Sequence, residues 1–290
     1  MSTDSAPYIS QSWDGLRRFT DARIALGRAG HSLPTAAHLQ FQLAHAQARD
    51  AVHVPLETER VIQSLQAQGL QTLMLHSAVP NRHVYLQRPD LGRRLDEAAC
   101  CTLQAHREHD PHGPAPDVCF VVADGLSALA IHGHAIEFLQ CLLPHLQRDA
   151  NPWRVAPVCV VEQGRVAIGD DIGERLAAKL VVVLIGERPG LSSPDSMGIY
   201  LTWAPRVGCT DAQRNCISNV RGAGLAPQAA ALQLYQLMSQ ARGLKLTGVG
   251  LKVKEGVEVQ ALDAAALSVA NFGARCASTG IARRQTNAYR

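Results

Sequence analysis

Aromatic side chains make up only 4% of this 290-residue chain. Its core must therefore come mainly from Ala, Leu, Val and Ile, a composition that suits helices packed closely on a parallel sheet. Charge imbalance is small as well. The 28 Lys and Arg residues stand against 25 Asp and Glu, a formal +3, and the basic residues are scattered, so no nucleic-acid-binding face is implied. No apolar stretch approaches the roughly 20 residues that a spanning helix needs, and no basic-then-apolar segment opens the chain as a signal peptide would. A soluble protein with no membrane or nucleic-acid partner is expected. The eight cysteines (100, 101, 119, 141, 159, 209, 216, 276) contain no C-x-x-C. Several sit inside apolar segments, where Cys behaves as a small hydrophobe, and a reducing, bacterial-type cytosol is the natural compartment.

What is present is an ordinary globular composition, 47% hydrophobic and 18% charged, long enough for two modest domains. The first half reads as helical. Trp13, Leu16, Phe19, Ile24 and Leu26 fall near helical spacing, and Gly30 is a plausible stop. Residues 33–52 and 56–69 read as two further helices, the second ending at Gly69. Residues 70–77 and 83–87 are short strand candidates, and 88–109 reads as a helix opening after Pro89 and Asp90. The stretch "DPHGPAPD" (110–117) marks a boundary or long connector. Beyond it the pattern becomes strand, loop, helix. The strands are apolar throughout and must be covered on both faces, as in a parallel sheet with helical crossovers. The expectation is α/β: a mainly helical N-terminal region (1–110), a Rossmann-like, doubly wound parallel-sheet domain (117–252), and a C-terminal extension of unknown structure (253–290).

In an open parallel sheet, ligands bind outside the carboxyl ends of the strands. That rule selects "ADGLS" (123–127), "EQGRV" (162–166), "GERPG" (186–190) and, taken as following the last strand, "CISN" (216–219). Nucleotide signatures are missing from this rim. There is no G-x-x-x-x-G-K-[ST], and no G-x-G-x-x-G opens a helix, since Gly222 and Gly224 are followed by Leu-Ala-Pro. No zinc-ligand spacing occurs. His132 and His134 in "HGH" read as two partly buried or solvent-facing histidines, and no metal site is expected. Ser127 lacks a nearby base, so it reads as a helix N-cap beside a turning Asp124 rather than a nucleophile. No residue stands out as catalytic. The arginines of "RPDLGRRL" (88–95) suit either a grip on a partner's acidic loop or a solvated helix end.

Six segments nevertheless occur together in one order: "GRAG" (27–30), "RPDLGRRL" (88–95), "DGLS" (124–127), "GRV" with "D-x-IGE" (164–174), "GERPGL" (186–191) and "CISN" (216–219). In this order and spacing, over roughly residues 13–252, the chain resembles the small (light) subunit family of ethanolamine ammonia-lyase. The resemblance implies a lyase that is active only with its large subunit and uses adenosylcobalamin to convert ethanolamine to acetaldehyde and ammonia. It also implies that the large subunit is a separate barrel chain that binds ethanolamine, in a heterododecamer of six large and six small chains. On this chain it implies cobalamin contacts at Val166, Glu187 and Cys216, with no residue ligating the cobalt. A strand-end valine can pack on a corrin, a carboxylate can accept from its amides, and a cysteine is small enough to lie against it. Only about a dozen residues precede Trp13, where some members carry a longer extension associated with a bacterial microcompartment, so free cytoplasm is the first expectation. The alternative reading is a non-catalytic structural partner that stabilises another enzyme chain and binds no cofactor.

Overall fold

The computed structural model describes residues 13–109 and 113–251. The start of the proline-rich connector (110–112), the C-terminal extension and Cys276 lie outside the described residues.

Uniformly apolar strands find burial on both faces. β2 (Val118–Ala123) and β4 (Leu180–Gly186) are buried at every residue, and β3 (Val158–Glu162) at all but its last. With β1 (Thr72–His76), β5 (Met197–Trp203) and β6 (Arg214–Val220) they form one six-stranded sheet in the order β1-β3-β2-β4-β5-β6. β1, β3, β2 and β4 are parallel. β5 runs antiparallel to both β4 and β6. The fold is therefore α/β with a mostly parallel sheet, and the expectation of a wholly parallel one is corrected at β5. No crossover helix separates β4 from β5, and a loop of that kind returns the chain antiparallel.

Helices cover both faces. On the first, α2 (Thr58–Gln66), the segment from α5 (Ala128–Ala130) through a π-helical turn (Ile131–Ala135) to α6 (Ile136–Arg148), and α8 (Pro227–Leu244) bury Phe138, Leu142, Leu234 and Met238 against Phe120 and Val182. On the second, α4 (Glu97–His109) and α7 (Ile168–Arg175) bury Leu103, Ile168 and Ile172 against Val121 and Val183. Asp96 caps α4 by accepting the Ala99 N–H at 2.7 Å. Gly69 follows α2 at φ +78°, the left-handed stop that its sequence position predicts. α1 (Thr35–His53) buries only Ala44 and Ala51.

Four local readings change. Residues 14–19 form a 3-10 helix, and the chain then leaves helical geometry because the Ala22 N–H bonds to the Thr20 hydroxyl (3.1 Å). Residues 83–87, read as a strand, belong to α3 (Arg82–Gln87), capped by the Asn81 side chain on the Val84 N–H. Residues 88–109 are broken into a 3-10 turn at Leu91–Arg93 and α4. "CISN" lies inside β6, where Ile217 and Val220 are buried and Cys216, Ser218 and Asn219 exposed, a three-residue spacing that the register shift opposite Met197–Ile199 produces at this edge strand.

Candidate functional site

Adjacent strands β2 and β3 send their following helices to opposite faces, α5–α6 to the first and α7 to the second. The crevice between their carboxyl ends is thus the switch point where such sheets take ligands. Here it is filled by α3. Tyr85, wholly buried, donates its hydroxyl to the Gly164 carbonyl (2.9 Å). Arg82 donates to the Asp124 carboxylate (3.2 Å), the Gly125 carbonyl (2.9 Å), the Gln163 side chain (3.3 Å) and the Val52 carbonyl (2.7 Å). Arg165 stacks over the Tyr85 ring at 4.1 Å. These contacts hold the Gln163–Arg165 loop and so fix where Val166 enters α7.

Asp124 turns the loop after β2 as expected, its carbonyl accepting the Ser127 N–H. Ser127 does not cap α5, because its hydroxyl donates instead to the Pro194 carbonyl (2.7 Å). Asp124 is 2% exposed. Burial pushes its carboxyl up to about 6, against the opposing pull of Arg82 and backbone N–H groups. A carboxyl raised in the folded state binds more protons there than in the unfolded chain, so its stabilisation is full below pH 4 and is lost as pH rises through 6. The expected size is about 3 kcal/mol. Urea unfolding of the wild type and Asp124→Asn between pH 4 and 7 checks this; an unchanged difference between the two proteins across that range would refute it.

The three candidate residues lie on the second face. Val166 packs at the margin of that core, as does Tyr200 on β5. Tyr200 pairs with Cys216 on β6, and directly opposed residues share a face. Glu187 immediately follows β4, and a Cβ on Gly198 would meet its Oε1 at 2.9 Å and the Tyr200 ring at 3.1 Å. Gly198, itself buried, thus lets carboxylate and phenol lie directly on the strand, a patch with no room for a side chain beneath them. Glu187 Oε2 accepts the Ser196 hydroxyl and the Asn219 N–H (3.3 Å), whereas Oε1 accepts no hydrogen bond among the described residues. Burial, then the nearby Cys216 and Glu187, raise the Tyr200 hydroxyl well above its ordinary value. Desolvation against the sheet and the Glu187 charge raise the exposed Cys216 thiol, so it is a neutral thiol at pH 7 rather than a nucleophile.

Beside this patch a groove of about 610 Å³ runs from Val166 past Asp170 to Arg214, two residues from Cys216 on β6. Of the "RPDLGRRL" arginines, Arg88 is bound by Asp90 at 2.7 Å and Arg94 reaches Asp171 at 3.3 Å. His132 is likewise committed, accepting the Glu57 N–H (2.9 Å), and His134 approaches Asp195 at 3.3 Å. Among the described residues, no three His, Cys, Asp or Glu converge as metal ligands. Sequence reasoning missed Ser196, Gly198 and Tyr200, and took Asn219 only as the end of the "CISN" loop; antiparallel pairing brings them to Glu187. The alternation in "GIY" was the available signal for Gly198 and Tyr200.

The family model of the ethanolamine ammonia-lyase light chain matches residues 10–252. The ethanolamine ammonia-lyase small subunit of Azotobacter vinelandii is 55% identical over 270 residues, 93% of this chain and 98% of its own. Those of Pseudomonas aeruginosa and Ralstonia nicotianae are 57% and 54% identical over 261 and 262 residues, each 90% of this chain and 93% and 95% of their own. The Azotobacter alignment is longer than the chain up to residue 252, so it reaches into the C-terminal segment. By the extent of both kinds of match, this chain belongs to the ethanolamine ammonia-lyase light-chain family.

Proposed function

We propose that the chain is the cofactor-holding small subunit of an adenosylcobalamin-dependent ethanolamine ammonia-lyase, inactive alone and completed by a large subunit that binds ethanolamine. The observation that carries this reading is the Glu187 carboxylate. Ser196 and Asn219 fix one of its oxygens while the other is free above Gly198. A corrin is a broad apolar disc fringed with amides, and the residues fit it. Gly198 lets the Glu187 carboxylate and Tyr200 ring lie flat on the strand, Glu187 Oε1 is an open acceptor for an amide N–H, and Val166 and the uncharged Cys216 offer apolar and polarizable surface. Bound adenosylcobalamin supplies the radical chemistry that turns ethanolamine into acetaldehyde and ammonia. This chain's part is to hold and orient the group and to exclude water from one side of it. The remaining proposals are a partner-contacting region at 1–110, a Rossmann-like cofactor domain at 117–252, a 253–290 extension, an assembly of six large and six small chains, and a free cytoplasmic location rather than a microcompartment.

Mixing the chain with its large subunit, adenosylcobalamin and ethanolamine should yield acetaldehyde, and neither chain alone should. Turnover without this chain would refute the proposal. In the assembled complex, Glu187→Ala should raise the cobalamin dissociation constant about tenfold, the value of one charge-assisted hydrogen bond, and leave sedimentation of the complex unchanged. An unaltered dissociation constant would remove Glu187 from the contacts. The alternative, a structural partner without cofactor, draws on the many apolar side chains exposed in residues 13–43. A cobalamin absorbance spectrum that is the same with and without this chain would favour it.

A further inference from the structure

Half of the large apolar side chains exposed among the described residues fall within residues 13–43. Trp13 is 64% exposed, Phe19 73%, Leu39 56% and Leu43 60%. A surface helix ordinarily turns its apolar stripe inward, yet α1 carries Leu39, Phe41 and Leu43 outward and buries two alanines. Between α1 and residues 21–33 lies a largely apolar hollow of about 540 Å³, walled by Leu26, Leu33, Ala37 and Phe41 and, from the far side of the chain, by Leu191. Apolar surface of this extent marks an interface.

Two observations identify what covers it. Arg17, Arg18, Arg23 and Arg28 border the surface, and none makes an ion pair with another described residue, so the complementary face is apolar with an acidic margin. Leu191 lies four residues beyond Glu187, on a loop pinned by the Gly190–Ser193 turn and by Arg221 bonding the Ser192 carbonyl (3.1 Å). Whatever docks here also reaches the Glu187 loop. We infer that residues 13–43 with Leu191 are the docking surface for an acidic-margined apolar face of the large subunit. This inference rests on the small-subunit reading proposed above. Docking there brings the partner over the Glu187 loop, so assembly and closure of the cofactor seat are one event.

The test is sedimentation velocity of the full chain titrated with purified large subunit, using wild type, Leu39→Glu/Leu43→Glu and Leu244→Glu. Glutamate is a good helix former, and both α1 positions are open to solvent, so the fold is retained; circular dichroism checks this. The double variant should bind at least tenfold more weakly. Leu244→Glu, an equally exposed leucine at the end of α8, should bind as wild type does. Raised salt should slow association of the wild type. Equal binding by the α1 variant would overturn the inference and leave the small-subunit reading standing, as would a wild-type chain that dimerises alone through these leucines. Failure of the wild type to bind the large subunit at all would instead refute the small-subunit reading.

Discussion

Replacing Asp170 with alanine is expected to lower the unfolding free energy by about 3–5 kcal/mol, the cost of leaving a buried charge without its partner. Its carboxylate takes both terminal nitrogens of Arg214 at 2.6 Å each, a bidentate pair whose side chains are 3% and 2% exposed. Thr202 Oγ1 (3.1 Å) and the Cys209 carbonyl (2.9 Å) complete the guanidinium's surroundings, while its Nε is buried without a hydrogen bond. Without Asp170 the cation keeps two neutral acceptors and an exposed Asp211 at 3.5 Å, too little to offset its desolvation. The pair as a whole is worth less than either half suggests. Asp170→Leu/Arg214→Met, which removes both charges at similar volume, should recover most of the loss. Urea midpoints of the two proteins decide the matter, and an Asp170→Ala cost under about 1 kcal/mol would mean that water or Asp211 satisfies Arg214.

Gly186→Ala is expected to cost roughly 3 kcal/mol or more, or to prevent folding. A Cβ at Gly186 would stand 2.0 Å from the Ser127 carbonyl oxygen and 2.5 Å from that of Asp124. Both obstacles are backbone, so no rotamer change relieves them. The contact is reciprocal. Gly125, at φ +56°, has its own missing Cβ position 2.3 Å from the Gly186 oxygen, and the Leu126 N–H bonds to that oxygen at 2.9 Å. The end of β4 is therefore seated against the turn after β2, and any alanine that folds should misplace Glu187 and, on the function proposed above, lose cobalamin affinity in the assembled complex. Gly222, with nothing within 4 Å of its Cβ position, is the control; its alanine variant should lie within about 0.5 kcal/mol of wild type. Equal melting of the two variants would refute the argument.

The central strands were legible because β2 and β4 are apolar at nearly every position, and only two-sided burial explains such runs. The direction of β5 was not, since a strand's composition carries no polarity. β6 escaped because Asn215, Ser218 and Asn219 break the apolar run and look like loop, and the register shift opposite Met197–Ile199 spaces buried Ile217 and Val220 three apart, which hides the period of two. α3 is six residues whose Val and Tyr favour strands in isolation. Its helix is held by Asn81 and by what Arg82 and Tyr85 reach 80 residues away, information absent from any local window. Glu187 could be picked out as the charge that ends a buried strand. Its companions Ser196 and Gly198 became visible only once the chain reversed at β5.

The filling of the β2–β3 crevice by Arg82 and Tyr85 bears on selectivity. The chain is in effect its own occupant there, with four guanidinium bonds and a phenol doing what a bound nucleotide does in other parallel sheets. A small phosphorylated metabolite would have to evict α3 to enter, so such compounds are refused by prior tenancy rather than by repulsion. What stays open is the shallow groove from Val166 to Arg214 and the exposed Cys216 beside it, nearer a platform than a slot. A platform grips small molecules poorly and large flat ones well, and it closes only when a second protein supplies the roof.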